Sequence, residues 1–220
     1  MGKWTHVVEM RFEIELVDGM RIGGAGGGLE IGGVDPNLTA LRDPMSGEPY
    51  VPGSSLKGKL RSTLEKEHGL GRDGKPCGCG RPTCQVCPVF GAHMNMRAEC
   101  GPSRLTVRDA HFTDDYLKIW KQNPVFEVKA ENIIDRNRGT AEHPRWQERV
   151  PSGATFQAQM VLKVLEGDGQ FEDRWIAGLK NALAIVQRCD SLGAGGSRGS
   201  GRIAIRNFSS EKVTLESLTL

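Results

Sequence analysis

The 220-residue sequence lacks a long apolar run, an apolar leader at its N-terminus and a pronounced net charge. The missing apolar runs argue against a membrane-spanning segment, and the first ten residues, MGKWTHVVEM, do not have the apolar core of a signal peptide. The formal net charge is only +2, so any nucleic-acid-binding surface must come from locally clustered basic residues. We therefore expect a cytoplasmic protein with no membrane partner. Its six cysteines are then interpreted as metal ligands or core residues before disulfides.

Hydrophobic periodicity predicts four strands and two helices within one domain, residues 1–220. The strands alternate apolar and polar residues, and the helices repeat apolar residues every three or four positions. The predicted strands are His6–Val17, Arg104–Phe112, Ala154–Leu165 and Arg202–Phe208, and the predicted helices are Ser54–Gly69 and Arg174–Cys189. The order β-α-β-β-α-β is typical of the α+β ferredoxin-like or RRM-like fold, an antiparallel sheet with two helices on one face.

A glycine-rich segment, LGAGGSRGSGRIAI, runs from Leu192 to Ile205. The standard phosphate-binding loops lie between a strand and a following helix, whereas this segment follows a helix and precedes a strand. It is therefore not a loop of the Walker or Rossmann type. Two interpretations stay open: a bare backbone over which a polyanion lies, contacted by Ser197, Arg198, Ser200 and Arg202, or a turn without a ligand.

The motif VPGSSLKGKLRS places hydroxyl and basic side chains around a predicted helix start. Helix-terminal amides, hydroxyls and cations together suit a phosphodiester. The residues concerned are Ser54, Ser55, Lys57, Lys59 and Arg61. The alternative is a solvated helix capped by Ser54 or Ser55, and the motif alone favours that alternative.

Four cysteines, Cys77, Cys79, Cys84 and Cys87, have the spacing C-x-C-x4-C-x2-C in a Gly- and Pro-rich insertion. Four thiolates at this spacing predict a structural Zn²⁺ site, whose binding energy would fold a segment without a core. His68 or His93 is an alternative to one of the thiolates. Cys100 and Cys189 are expected in the core.

The long stretch Arg21–Gly53 contains an isolated acid, Asp35, in GGVDPNL. A connection of this length is usually functional, but an Asp before Pro is by itself ordinary turn chemistry.

The segment FEVKAENIIDRNRGTAEHPRWQERVPSGATF, Phe126–Phe156, mixes basic residues with aromatic ones. Such a mixture suits nucleic-acid bases, and a solvated β-hairpin is the alternative. The residues that support the first interpretation are Lys129, Arg136, Arg138, Arg145 and Arg149, with Phe126, Trp146 and Phe156.

Together these motifs resemble the RAMP superfamily of CRISPR proteins. The glycine-rich segment is similar to the signature loop of that superfamily. YVPGSSLKGKLRSTLE, the cysteines ahead of PVFG, AENIIDRNRGTA and ERVPSGATF resemble the repeated backbone subunits of type III-A (Csm) interference complexes. The related type III-B backbone subunits remain an alternative.

The resemblance implies an RRM-like palm with three insertions, at about 19–53 for a catalytic loop, 69–103 for a zinc insertion and 113–152 for a thumb hairpin. It implies a filament of copies along a guide crRNA, with other type III subunits and a complementary target RNA as partners. The guide backbone would be held by Ser54, Ser55, Lys57, Lys59, Arg61, Gly195, Gly196, Ser197, Arg198 and Gly199, with Arg136 and Arg138 as further RNA contacts.

The resemblance also implies endoribonuclease activity at Asp35, supported by Mg²⁺ or another divalent ion. The expected products are a 2′,3′-cyclic phosphate and a 5′-hydroxyl. A non-catalytic, guide-binding scaffold subunit is the alternative function.

Overall fold

The computed structural model describes residues 2–23, 40–71 and 73–217. The elements follow one another as β1 (Trp4–Leu16), α1 (Gly53–Glu67), α2 (Cys87–Phe90), β2 (Leu105–Val107), β3 (His111–Phe112), α3 (Asp114–Gln122), β4 (Glu127–Ile134), β5 (Ala141–Arg149), β6 (Thr155–Leu165), α4 (Glu172–Cys189) and β7 (Ile203–Thr214). The main sheet has the strand order β2-β6-β1-β7, and β3 also pairs with β6. All pairings are antiparallel. The α+β class with antiparallel sheets is confirmed.

Alternation along β1 determines which face of the sheet is buried. The apolar residues of β1, from Val8 to Leu16, are at most 3% exposed, while Glu9, Arg11 and Glu15 lie on the opposite face. The apolar residues of β6 are buried beside them, and the apolar faces of α1 and α4 complete the same core. The predicted helical stripes account for this packing, because Leu56, Leu60 and Leu64 and later Leu179, Leu183 and Val186 are all buried.

Two predicted elements have different bounds in the structure. The single strand predicted over Arg104–Phe112 is divided into β2 and β3, because Ala110 leaves β6 to exchange two backbone hydrogen bonds with Val51. The last strand continues past Phe208 to Thr214, since its second half pairs with the start of β1.

The helix α3 was not predicted, although its capping signal is present in the sequence. Thr113 caps it by accepting a hydrogen bond from the Tyr116 amide, and Asp114 and Asp115 occupy the first turn. Its buried residue, Trp120, packs on Phe112.

The strands β4 and β5 form a separate two-stranded hairpin. One face carries Glu127, Lys129 and Glu131 opposite Arg149, Gln147 and Arg145. No helix in the described part of the chain is long and apolar enough to cross a membrane.

Candidate nucleic-acid interface and metal centre

The start of α1 and the glycine-rich segment after α4 lie side by side, although they are far apart in the sequence. Lys59 Nζ is 2.8 Å from Asp190 Oδ1, at the residue that follows α4. Burial works to raise the pKa of Asp190, but the hydrogen bonds from Lys59 and the Ser191 amide, with the charges of Lys59 and Lys66, together outweigh burial and lower the pKa. A cavity of about 430 Å³ separates the two segments, lined by Lys59, Cys189, Asp190, Ser191, Gly193, Gly196 and Ser197. The two motifs predicted to bind a phosphodiester therefore share one groove.

The first turn of α1 is capped from outside the helix. The Gly53 amide donates to Asp109 Oδ1 at 2.7 Å, and α1 has no side-chain cap of its own. The expectation that Ser54 or Ser55 caps this helix is wrong, since Pro52 occupies the N-cap position and both serines lie inside the helix. Both serine side chains are exposed and remain accessible to a ligand.

Lys57 and Arg61 face away from the groove and hold other parts of the protein. Lys57 donates to the Leu105 carbonyl at 2.6 Å, and burial followed by the nearby charge of Arg61 lowers the pKa of Lys57. Arg61 donates to the Cys77 carbonyl at 2.8 Å and pairs with Glu65 at 2.9 Å. Of the three basic candidates on α1, only Lys59 lines the groove.

The centre of the glycine-rich segment is a 3-10 turn, Gly196–Arg198, with Gly195 and Gly199 on either side. Both flanking glycines are left-handed, with φ of +78° and +73°. Ser197 and Arg198 are exposed at the tip of this turn, as a contact with a polyanion requires.

Two other glycines of the segment are required by the protein's own packing. A Cβ on Gly193 would lie 2.3 Å from the Arg21 carbonyl oxygen, and one on Gly201 would lie 1.8 Å from the Leu192 carbonyl oxygen. Both residues also have φ near +75°. Gly193 lets the segment pack closely against Arg21, and Gly201 lets the two ends of the segment pack against each other, so neither glycine is evidence for a ligand.

The base of the β4–β5 hairpin is hydrogen-bonded to the same turn. Lys129 Nζ donates to the Arg198 carbonyl at 2.6 Å, and Arg149 donates to the Gly199 carbonyl at 3.1 Å and to Ser200 Oγ at 2.9 Å. Lys129 and Arg149, predicted as contacts for bases, therefore bind the protein's own backbone here.

Arg136 and Arg138 lie at the other end of the hairpin. They belong to its exposed turn, in which Asp135 Oδ1 accepts hydrogen bonds from the Asn137 and Arg138 amides. Six residues of extended chain separate this turn from Lys129, a distance of about 20 Å. The structure does not bring these two arginines into the groove.

Asp35 lies outside the described residues. The described residues on either side of its segment meet each other, because Gly23 bridges Ala40 and the Leu41 amide donates to the Ile22 carbonyl at 2.8 Å. The Ala194 amide donates to the Arg21 carbonyl at 2.8 Å. The described residues that precede the segment containing Asp35 therefore contact the glycine-rich segment, and those that follow it pair with them.

The four predicted metal ligands come together. The sulfur atoms of Cys77, Cys79, Cys84 and Cys87 all lie within 4.8 Å of one another. Cys87 Sγ is 3.7 Å from both Cys77 Sγ and Cys79 Sγ. Tetrahedral Zn²⁺ with bonds of about 2.3 Å would separate its sulfur ligands by about 3.8 Å. Donor type and spacing therefore fit a tetrahedral metal ion, and this group can hold one.

The cysteine group is attached to α1 through the backbone of Cys77. Glu65 Oε1 accepts from the Cys77 amide at 2.8 Å, next to the Arg61 hydrogen bond described above. Among the described residues the metal-ligand group contains neither His68 nor His93. Cys100 is buried as expected, but Cys189 is exposed, so its assignment to the core is wrong.

The structure adds residues that the motifs did not single out, namely Asp109, Glu131 and Asp190. The charges of Glu127, Lys129 and Glu131, at every second position, indicated a strand with one charged face, but not what that face contacts.

Of the aromatic residues predicted to interleave with bases, Phe156 is fully buried in the core and Trp146 is 53% exposed.

The chain is similar in sequence to one family of known proteins. The family model of the RAMP superfamily matches residues 13–204. A protein named CRISPR system Cms endoribonuclease Csm3 from Methanothermobacter thermautotrophicus is 36% identical over 211 residues, covering 89% of this chain and 82% of that protein. A protein of the same name from Methanocaldococcus jannaschii is 38% identical over 203 residues, covering 89% and 77%.

Among solved structures, a chain of a Csm3–Csm4 subcomplex in the type III-A CRISPR-Cas interference complex is similar in fold. The TM-score is 0.56 at 24% identity, covering 97% of this chain and 83% of that chain.

Proposed function

The chain belongs to the RAMP superfamily, and within it to the family of the Csm3 proteins, and from this premise we propose that it is a guide-binding endoribonuclease subunit. In this proposal, copies of the chain stack along a guide crRNA and cut a complementary target RNA at regular intervals. The other type III-A subunits are its further partners, and the assembly works in the cytoplasm. The observation that carries the proposal is the groove in which Lys59 of α1 meets the glycine-rich segment.

We assign the main sheet with α1 and α4 to a ferredoxin-like palm in a single domain of residues 1–220. The strand order β2-β6-β1-β7 supports this assignment, because it corresponds to a β-α-β-β-α-β chain with the insertions left out. The proposed insertions keep their predicted bounds, about 19–53, 69–103 and 113–152. The hairpin of β4 and β5 would be the thumb.

Guide binding is proposed at the groove. Ser54, Ser55 and Lys59 would contact the RNA backbone from α1, and the turn from Gly195 to Gly199 would contact it from the other wall. An exposed backbone turn beside a cation is a suitable surface for a chain of phosphates. We revise the roles of Lys57 and Arg61, since their hydrogen bonds attach β2 and the cysteine segment to α1. Arg136 and Arg138 would contact RNA from the far turn of the hairpin.

Cleavage is proposed at Asp35. In the expected reaction the 2′-oxygen of a nucleotide attacks the adjacent phosphorus and the bond to the 5′-oxygen breaks. The 2′-hydroxyl loses its proton and the 5′-oxygen gains one, which leaves a 2′,3′-cyclic phosphate and a 5′-hydroxyl. Asp35 would orient the reacting hydroxyl. The attachment of Arg21 to the glycine-rich segment supports this role, because Arg21 and Ile22, which precede the segment containing Asp35, lie beside the proposed RNA path.

A divalent ion such as Mg²⁺ would neutralise charge on the attacked phosphate. Outside the four cysteines, the described residues contain no further group of metal ligands. We therefore assign no described residue to that ion.

We propose Zn²⁺ as the ion held by the four cysteines. Four sulfur donors within 4.8 Å of one another suit Zn²⁺, and the bound ion would offset the burial that raises the pKa of Cys77 and Cys87. The ion would stabilise the insertion, and the contacts of Arg61 and Glu65 with Cys77 would attach the insertion to the palm.

The proposal is tested by reconstituting the complex with guide RNA and a labelled complementary RNA. Asp35→Ala should abolish cleavage while assembly and target binding stay unchanged. The matched control is Asp43→Asn, because Asp43 Oδ1 only accepts hydrogen bonds from the Met45 and Ser46 amides and the amide oxygen preserves that role. Cleavage by Asp35→Ala at the normal rate would instead favour the scaffold alternative.

A further inference from the structure

A carboxylate lies within the basic surface proposed for RNA. Glu131 Oε1 is 3.2 Å from Arg198 Nε, and Glu131 Oε2 is 2.9 Å from Arg145 Nη2. The Glu131 side chain is only 11% exposed, whereas the two arginine side chains are 54% and 48% exposed. The acid is thus covered by two cations that still reach solvent.

Glu131 remains ionised in this setting. Burial works to raise the pKa of Glu131, but the hydrogen bonds from Arg198 and Arg145 and the charges of both arginines together outweigh burial and lower the pKa. A carboxylate and a phosphate present oxygen atoms to a guanidinium group in similar ways. The Glu131 carboxylate therefore binds the Arg198 guanidinium at the position where an RNA phosphate would bind it.

The same strand also holds the backbone of Arg198. Lys129, two residues before Glu131 on the same face of β4, donates to the Arg198 carbonyl at 2.6 Å. Releasing the guanidinium would leave this backbone contact intact. The side chain of Arg198 can therefore change partner without moving the glycine-rich turn.

We propose that Glu131 is a positioning residue of the RNA site, which holds the Arg198 guanidinium on the hairpin until an RNA phosphate displaces it. RNA must then compete with a carboxylate already in place, and the affinity of the chain for single-stranded RNA is lower than its cations alone would give. This inference rests on the proposed function, since it requires RNA to contact the glycine-rich turn.

The test measures binding of a fluorescein-labelled, unstructured 30-nucleotide RNA to the full chain by anisotropy, at several salt concentrations. Glu131→Gln should bind about threefold to fivefold more tightly than the unmodified chain, the size expected for one partly exposed ion pair. The gain should shrink as salt rises, because screening weakens the Arg198–Glu131 ion pair with which RNA competes. Glu131→Ala should give the same gain, which guards against a residual contact of the glutamine amide with Arg198.

Two control variants separate the proposal from a general effect of charge. Glu142→Gln removes the same charge from the same hairpin, at a residue that forms no ion pair with the described residues, and should leave affinity unchanged. When Arg198→Gln is already present, adding Glu131→Gln should not increase RNA affinity further.

Weaker or unchanged binding by both Glu131 variants, with their thermal unfolding intact, would overturn the inference. A gain that persists without Arg198 would also overturn it. Failure of the unmodified chain and every variant to bind RNA would instead refute the proposed guide-binding function.

Discussion

The Gly53 amide donates a hydrogen bond to Asp109 Oδ1 at 2.7 Å, so the residue that caps α1 lies fifty-six positions away in the sequence. This contact orients the first turn of α1, which carries the exposed Ser54 and Ser55. It also places a negative charge at the positive end of the helix dipole. The cap therefore couples the position of the proposed RNA-binding turn to the strand region before β3.

Asp109→Ala should destabilise the protein by about 1 kcal/mol, the usual effect of removing a helix cap. Urea unfolding at neutral pH measures the loss. Glu99→Ala provides a control, because Glu99 is exposed and has no hydrogen-bond or ion-pair partner among the described residues. Equal stability of the two variants would show that Asp109 does not act as the cap.

Gly53→Ala and Gly58→Ala should change stability in opposite directions, although both lie in α1. A Cβ on Gly53 would lie 2.4 Å from the Val107 carbonyl oxygen, whereas one on Gly58 meets nothing within 4 Å. Gly58→Ala should stabilise the helix by up to about 1 kcal/mol. Gly53→Ala should lower the melting temperature, and an unchanged value would mean that the chain around Val107 moves aside without cost.

Purified protein should contain about one zinc ion per chain, measured by metal analysis. Cys84→Ser and Cys87→Ser should lose the ion, and a strong chelator should lower the thermal stability of the unmodified protein because the ion stabilises the folded insertion. Cys189→Ser, which changes an exposed cysteine outside the group, should keep it. Absence of metal from freshly purified, unmodified protein would contradict the assignment.

Lys59→Gln and Lys57→Gln should separate RNA binding from stability. Lys59→Gln should reduce affinity for single-stranded RNA. The negative slope of log binding constant against log salt concentration should become less steep by about 0.7, the value for one phosphate contact on a single strand. Lys57→Gln should cost about 1 kcal/mol of stability through its lost hydrogen bonds and leave the salt slope unchanged. A less steep salt dependence of RNA binding for Lys57→Gln would show that Lys57 contacts an RNA phosphate after all.

The predictions from sequence worked best where one local pattern determines one structural feature. The alternation of β1 predicted its buried face, and the spacing of the four cysteines predicted a group whose sulfur atoms meet. They failed where a distant segment supplies the partner. The serines of α1 suggested a local cap, but Asp109 supplies it, and Lys57 faces the Leu105 carbonyl instead of the groove.

The sequence by itself determined the main strand and helix pattern and the cysteine group, and it indicated that the glycine-rich segment after α4 is not a standard phosphate loop, because each depends on order and spacing along the chain. Only the tertiary structure decided which cations remain available to a ligand. Lys59 lines the groove beside its partner Asp190, Lys57 and Arg61 hold other segments, and Arg198 pairs with Glu131. The physical reason is that a cation's partner is the nearest oxygen in space, and for each of these cations at least one such oxygen belongs to a residue distant in sequence.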